Sequence, residues 1–193
     1  MSKSLQKRLL LHSCCAPCSS AVLHRLVPDY DVTLFFYNPN ILPEREYFKR
    51  LSEQKRLLQC MGLERDVNLI IGSYHPALFK KIITGLESLP ENSERCIKCY
   101  TLRLEESAKI AVSYGFELFT TTLTLSSKKD AEQINQVMAK VATKYSLKRL
   151  WADFKKDDGY NLSIELCNKY RLERQKYCGC KVVEATIPKV KPL

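Results

Sequence analysis

His12-Ser13-Cys14-Cys15-Ala16-Pro17-Cys18 places three cysteines within five residues, just after the apolar run Leu9-Leu10-Leu11 and at the start of a helical pattern. A helix N-terminus presents unpaired N–H groups and a partial positive charge. It therefore favours thiolates, the form that binds metals or attacks electrophiles. Cys96-Ile97-Lys98-Cys99 adds a CxxC at a second helix start, and Cys178-Gly179-Cys180 adds a CxC further on. Cys60 and Cys167, each alone in an amphipathic stretch, read as small buried hydrophobes. The seven grouped thiols exceed the four used by one tetrahedral zinc or one cubane cluster. The surplus could bind a second metal ion or form a dithiol that cycles through a disulfide during turnover. Neighbouring side chains at the end of a strand point apart, so Cys14 and Cys15 are expected to serve different centres. Three chemistries stay open on spacing alone: a redox iron-sulfur centre, a structural zinc staple, and a thioredoxin-like Cys15-Ala16-Pro17-Cys18.

The elements that must position these thiols alternate strand and helix. Strands are expected at 8–12, Val32–Tyr37, Val67–Ile71, Phe116–Leu123 and Leu147–Phe154. Helices are expected over Pro17–Leu26, from Pro43 to Gly62, Pro76–Gly85, from Ile97 to Gly115, after a capping box of Ser127 and Asp130, and over Asn161–Lys176. This is the pattern of an α/β protein with a doubly wound, mostly parallel five-stranded sheet. Ligands of such sheets gather outside the carboxyl ends of the strands, where the Cys14 turn and Asn38-Pro39-Asn40 both fall. Residues 1–193 read as a single domain. Residues 87–115 could form a helical insertion, and 177–193 a cysteine-containing tail that packs back on the sheet. Neither GxGxxG nor GxxxxGK[ST] occurs, and cysteines stand where a phosphate cradle would lie. Electrons are thus expected from an external carrier of the ferredoxin or flavodoxin class.

Thirty-one Lys and Arg against 21 Asp and Glu give a net charge of +10, which favours a polyanionic partner, nucleic acid first. The apolar segment near the N-terminus is too short for a membrane span or signal core, so a cytoplasmic protein without membrane attachment is expected. Nine cysteines in a reducing compartment then point to metal or redox chemistry.

Several ordered motifs resemble the QueH family of epoxyqueuosine reductases. They are His12 to Cys18, Phe36-Tyr37-Asn38-Pro39-Asn40-Ile41, Arg95-Cys96-Ile97-Lys98-Cys99-Tyr100 with Arg103-Leu104, and Phe119-Thr120-Thr121-Thr122-Leu123. Asp153-Phe154-Lys155-Lys156 with Gly159-Tyr160, and Gln175-Lys176-Tyr177-Cys178-Gly179-Cys180, complete the set. The resemblance implies a nucleotide-hydrolase-like (Rossmann-like, HUP-type) fold and two-electron reductive removal of the epoxide oxygen of epoxyqueuosine at the tRNA wobble position. It also implies a 4Fe-4S cluster beside a second iron, without cobalamin. On that basis Cys14 or Cys15 with Cys96, Cys99 and one more cysteine would hold the cluster. Cys18, Cys178 and Cys180 would hold the second metal, acting as a Lewis acid on the epoxide oxygen. Candidate proton donors are Asp153, Asp157, Asp158 and Tyr160, with the resemblance favouring Asp153 and Tyr160. Tyr37, Asn38, Tyr47 and Tyr100 are candidates to stack or pair with a flipped-out base, with Arg103 beside them. Lys128, Lys129, Lys155, Lys156, Arg171 and Arg174 are candidates for phosphate contacts of a tRNA with a queuosine-type anticodon. His12 reads as a hydrogen-bonded core histidine rather than a ligand.

Overall fold

A computed structural model describes residues 6–180, so most of the tail expected over 177–193 lies outside them. The strands are β1 (Lys7–Ser13), β2 (Tyr30–Phe36), β3 (Asn68–Ile71), β4 (Leu118–Thr121) and β5 (Lys148–Arg149). The helices are α1 (Ala16–Leu26), α2 (Glu44–Cys60), α3 (Pro76–Ile82), α4 (Glu94–Ser113), α5 (Ala131–Lys144) and α6 (Gly159–Lys169). The strands form one sheet in the order β3-β2-β1-β4-β5, every neighbouring pair parallel. The doubly wound α/β expectation is met.

Leu9, Leu10 and Leu11 are all buried because helices cover both faces of the sheet. Alternation along β1 sends Leu9 and Leu11 to one face, against Val22, Leu57 and Leu166 of α1, α2 and α6. Leu10 goes to the other, against Leu104 and Ala108 of α4 and Ile134 and Met138 of α5. Because β2 and β4 flank β1 on opposite sides, the winding reverses there, and the crevice lies beyond the carboxyl ends of β1 and β4.

Several boundaries differ from expectation, among them the last helix, which ends at Lys169 rather than Lys176. The last strand is only Lys148–Arg149: beyond it the carbonyls are held by side chains, Thr120 donating to that of Leu150 at 3.0 Å and Asn135 to that of Ala152 at 3.0 Å. The strand expected to end in Leu123 stops at Thr121 and tightens into a 3-10 turn, Thr122–Leu125, whose Leu123 N–H donates to the Thr121 hydroxyl. The N-cap of α5 is Asp130, not Ser127, its carboxylate accepting from the N–H groups of Glu132 and Gln133.

Candidate metal centre and cavity

At the carboxyl end of β1 the Cys14 N–H donates to the Thr122 hydroxyl (3.1 Å), which lies 3.3 Å from Cys14 Sγ. This link stitches the two sides of the crevice together. Cys15 is the extended N-cap residue of α1, and Cys18 sits in the helix's first turn. Behind them Ser13 and Ser19 both donate to Gln54 Oε1, at 2.7 and 2.8 Å, and fix the turn from the core side. The sulfurs of Cys14, Cys15 and Cys18 lie within 4.8 Å of one another, with Cys14 and Cys15 only 3.7 Å apart. This corrects the expectation that adjacent cysteines diverge. The last strand residue is Ser13, so the alternation of a pleated strand has ended where Cys14 begins.

The three thiols face a cavity of about 580 Å³, a volume ordinary for a small-molecule site. Cys178 lines it from the tail, and also lines a smaller adjoining pocket with Cys96, Cys99 and Cys180. Arg103 and Lys129 border both. Thiols from the beginning, middle and tail of the chain thus converge at one crevice. The tail is held there by the Leu42 N–H, which donates to the Gly179 carbonyl at 2.8 Å. A Cβ on Gly179 would lie 2.8 Å from Ile41 Cγ1 and 3.3 Å from Arg50 Nη1, so the residue between the two cysteines must be glycine for this close approach. Arg50 stacks over the Tyr177 ring at 5.5 Å and adds a second clasp.

All nine cysteines are free thiols. The disulfide expectation is corrected: Cys178 and Cys180 stand 3.4 Å apart, far beyond a sulfur–sulfur bond of about 2.05 Å. Hydrogen bonds from Cys15 and Cys18 hold Cys14 well below the usual thiol range, with Arg103 and Thr122 assisting. Cys15 is pushed up to about 12 and Cys18 is raised as well, chiefly by their bonds to Cys14. The trio therefore prefers a single negative charge, and the other protons leave only if a cation takes their place. In the second pocket Cys180 lowers Cys178, with Lys129 next, while burial pushes Cys99 up to about 11. Metal–sulfur bonds of about 2.3 Å put tetrahedral ligands roughly 3.8 Å apart, which the Cys14–Cys15 spacing of 3.7 Å fits. Three thiols facing a cavity match a centre with three protein ligands and room for substrate; four thiols in the next pocket match the count of a cubane cluster.

His12 is the core histidine expected. Its Nδ1 meets the Thr121 hydroxyl at 2.8 Å, and its Nε2 the Tyr37 carbonyl at 3.2 Å. Burial, then the charge of Arg103, pulls its pKa from 6.5 down to about 3. Between those values the unfolded chain holds a proton that the folded chain does not, so stability is lost as pH falls through that window. In metal-free protein this loss should approach ~1.4 kcal/mol per pH unit. Denaturant titrations at successive pH values should show the slope flatten in His12→Gln.

The other candidate residues fall into two groups. Asn38, Arg103, Tyr160 and Arg174 line the cavity, and Tyr100 lines the adjoining pocket. Tyr160 lies under the Arg174 guanidinium at 5.4 Å, and its pKa is lowered by the Ser127 hydroxyl first and by Arg174 second. Tyr37 and Tyr47 do not line it. Tyr37 is buried flat against Phe35 at 5.8 Å, and Tyr47 is buried against Tyr74 at 4.2 Å. Asp153 stands outside the lining with its carboxylate 3.4 Å from Lys155 Nζ, and Lys156 is exposed. Sequence reasoning gave no role to Thr122, Arg50 or Tyr177. Thr122, expected inside the strand Phe116–Leu123, and Tyr177, next to Cys178, carried local signals; Arg50 carried none.

The profile described as Epoxyqueuosine reductase QueH matches residues 9–186. A relative of that name from Staphylococcus epidermidis is 42% identical over 177 residues, covering 90% of this chain and 74% of its own. One from Staphylococcus aureus is 38% identical over 182 residues (92% and 76%), and one from Thermotoga maritima 33% over 175 residues (89% and 88%). The chain therefore belongs to the QueH family of epoxyqueuosine reductases.

Proposed function

We propose that this chain reduces epoxyqueuosine to queuosine in tRNA, with the modified base bound in the thiol-lined cavity. The epoxide oxygen leaves as water at the expense of two electrons and two protons. The observation that carries this reading is the meeting of three separate cysteine sets at the crevice of the sheet, in a chain of this family. The geometry favours Cys14, Cys15 and Cys18 as holders of a single iron, and Cys96, Cys99, Cys178 and Cys180 as holders of a 4Fe-4S cluster. When bound, these centres supply the electrons, drawn from a ferredoxin- or flavodoxin-class carrier, and a Lewis acid for the epoxide oxygen. Zinc-staple and thiol–disulfide readings are not favoured, since neither needs three thiols around a substrate-sized cavity.

The chain's own residues do the rest. Arg103 and Lys129 balance the thiolate charge that both pockets share. Tyr160 Oη, at the cavity wall with its pKa lowered, is the proton donor best placed for the leaving oxygen. Asn38 presents its amide at the wall, with Nδ2 donating to the Ser13 carbonyl at 3.0 Å. Lys128 and Arg174 at the rim suit flanking phosphates. With about two phosphate contacts, tRNA affinity should fall roughly sevenfold to twelvefold between about 50 and 200 mM salt; a flat response would contradict the charge argument. The test is anaerobic reconstitution with iron and sulfide, followed by incubation with reductant and epoxyqueuosine-containing tRNA and analysis of the nucleosides. Queuosine must appear as epoxyqueuosine disappears.

A further inference from the structure

We infer that Trp151 is a stacking platform for an unpaired RNA base beside the cavity. The chain has one tryptophan, and it is 48% exposed. It stands two residues beyond β5, at the same carboxyl end of the sheet as the thiol crevice. Its two neighbours are fixed: the Leu150 N–H donates to the Phe119 carbonyl at 3.0 Å, Thr120 holds the Leu150 carbonyl, and Asn135 holds that of Ala152. Leu150 and Ala152 pack against the core. The indole is therefore on the outward side of a pinned segment, where packing gives no reason for a large apolar ring.

Its surroundings fit one kind of partner. The Arg149 guanidinium lies over the indole at 5.6 Å, and Lys148 and Arg149 are both exposed, one residue short of it. Lys155, four residues on, reaches the Lys129 carbonyl at 3.1 Å and so joins this stretch to the cavity rim. A flat aromatic face flanked by cations is how proteins hold unpaired bases with their phosphates. The proposal rests on tRNA as the substrate: with one base in the cavity, a neighbouring loop base stacks on Trp151.

A single tryptophan supplies its own reporter. Titration with an RNA hairpin carrying the anticodon loop of a queuosine-type tRNA should quench its emission saturably. Trp151→Ala should weaken hairpin affinity roughly 5- to 150-fold, the range of one base–aromatic stack. Trp151→Phe should stay within a few-fold of the parent, and the salt dependence of binding should keep its slope in both variants, since no phosphate contact is removed. Unquenched emission at saturating hairpin, or unchanged affinity in Trp151→Ala, overturns the proposal. So does a Trp151→Ala variant that binds hairpin normally but accepts electrons slowly from a carrier protein, which would give the surface to the donor. Quenching without any queuosine formation would remove the catalytic reading and keep the platform; queuosine formation without quenching would do the reverse.

Discussion

Replacing Cys96 and Cys99 together by serine is expected to abolish visible cluster absorbance and to lower reductase turnover by at least ~10³-fold, the scale seen when a group acting as a unit is removed. Both sulfurs are buried in the first two turns of α4 and share their pocket with Cys178 and Cys180. Serine keeps the size of the side chain but not the soft thiolate that iron-sulfur centres need. Iron at the Cys14, Cys15 and Cys18 site should survive the change. Iron analysis of the variant therefore separates loss of one centre from general unfolding, and an unchanged visible spectrum would refute the assignment.

Arg103→Met is expected to cost about 3 kcal/mol of stability in the metal-free protein, the lower end of the range for removing one partner from a buried charged contact. The guanidinium is buried, donates to Asn38 Oδ1 at 2.6 Å and lies 4.0 Å from Cys99 Sγ. Asn38 in turn donates to the Ser13 carbonyl, so one chain of contacts joins α4, the turn after β2 and the end of β1. Methionine leaves Asn38 Oδ1 without its donor and removes one of the two cations beside the thiolates. Burial disfavours the charge of Arg103, but Cys99 and Cys14 outweigh it and keep the guanidinium protonated. Arg103→Lys should recover part of the loss, because it restores the charge without the planar fork. Denaturant unfolding of both variants measures this, and a change below ~0.5 kcal/mol for methionine would show that the contacts carry no weight.

The sheet was legible because its signals are local. Leu9 to Leu11 form a buried run that ends in a turn, and Ile97, Thr101, Leu104 and Ala108 keep helical spacing that α4 confirms. The thiol sets were legible for the same reason. How they group was not, because Cys14 and Cys15 leave the strand geometry that the expectation assumed, and Cys18 joins them through the first turn of α1. Tyr37 and Tyr47 looked suited to a base, yet each is taken up by an aromatic partner, Tyr37 by Phe35 two residues before it and Tyr47 by Tyr74 beyond β3. The short β5 was hidden because the apolar pattern runs on to Phe154 while the hydrogen-bond partners change from backbone to the side chains of Thr120 and Asn135. That same change puts Trp151 on the surface.

The most direct test of the central claim is iron and acid-labile sulfide content of anaerobically reconstituted wild-type protein. A cubane on one thiol set and a separate ion on the other give about five irons and four sulfides per chain. Zinc alone, with no sulfide, would contradict the account.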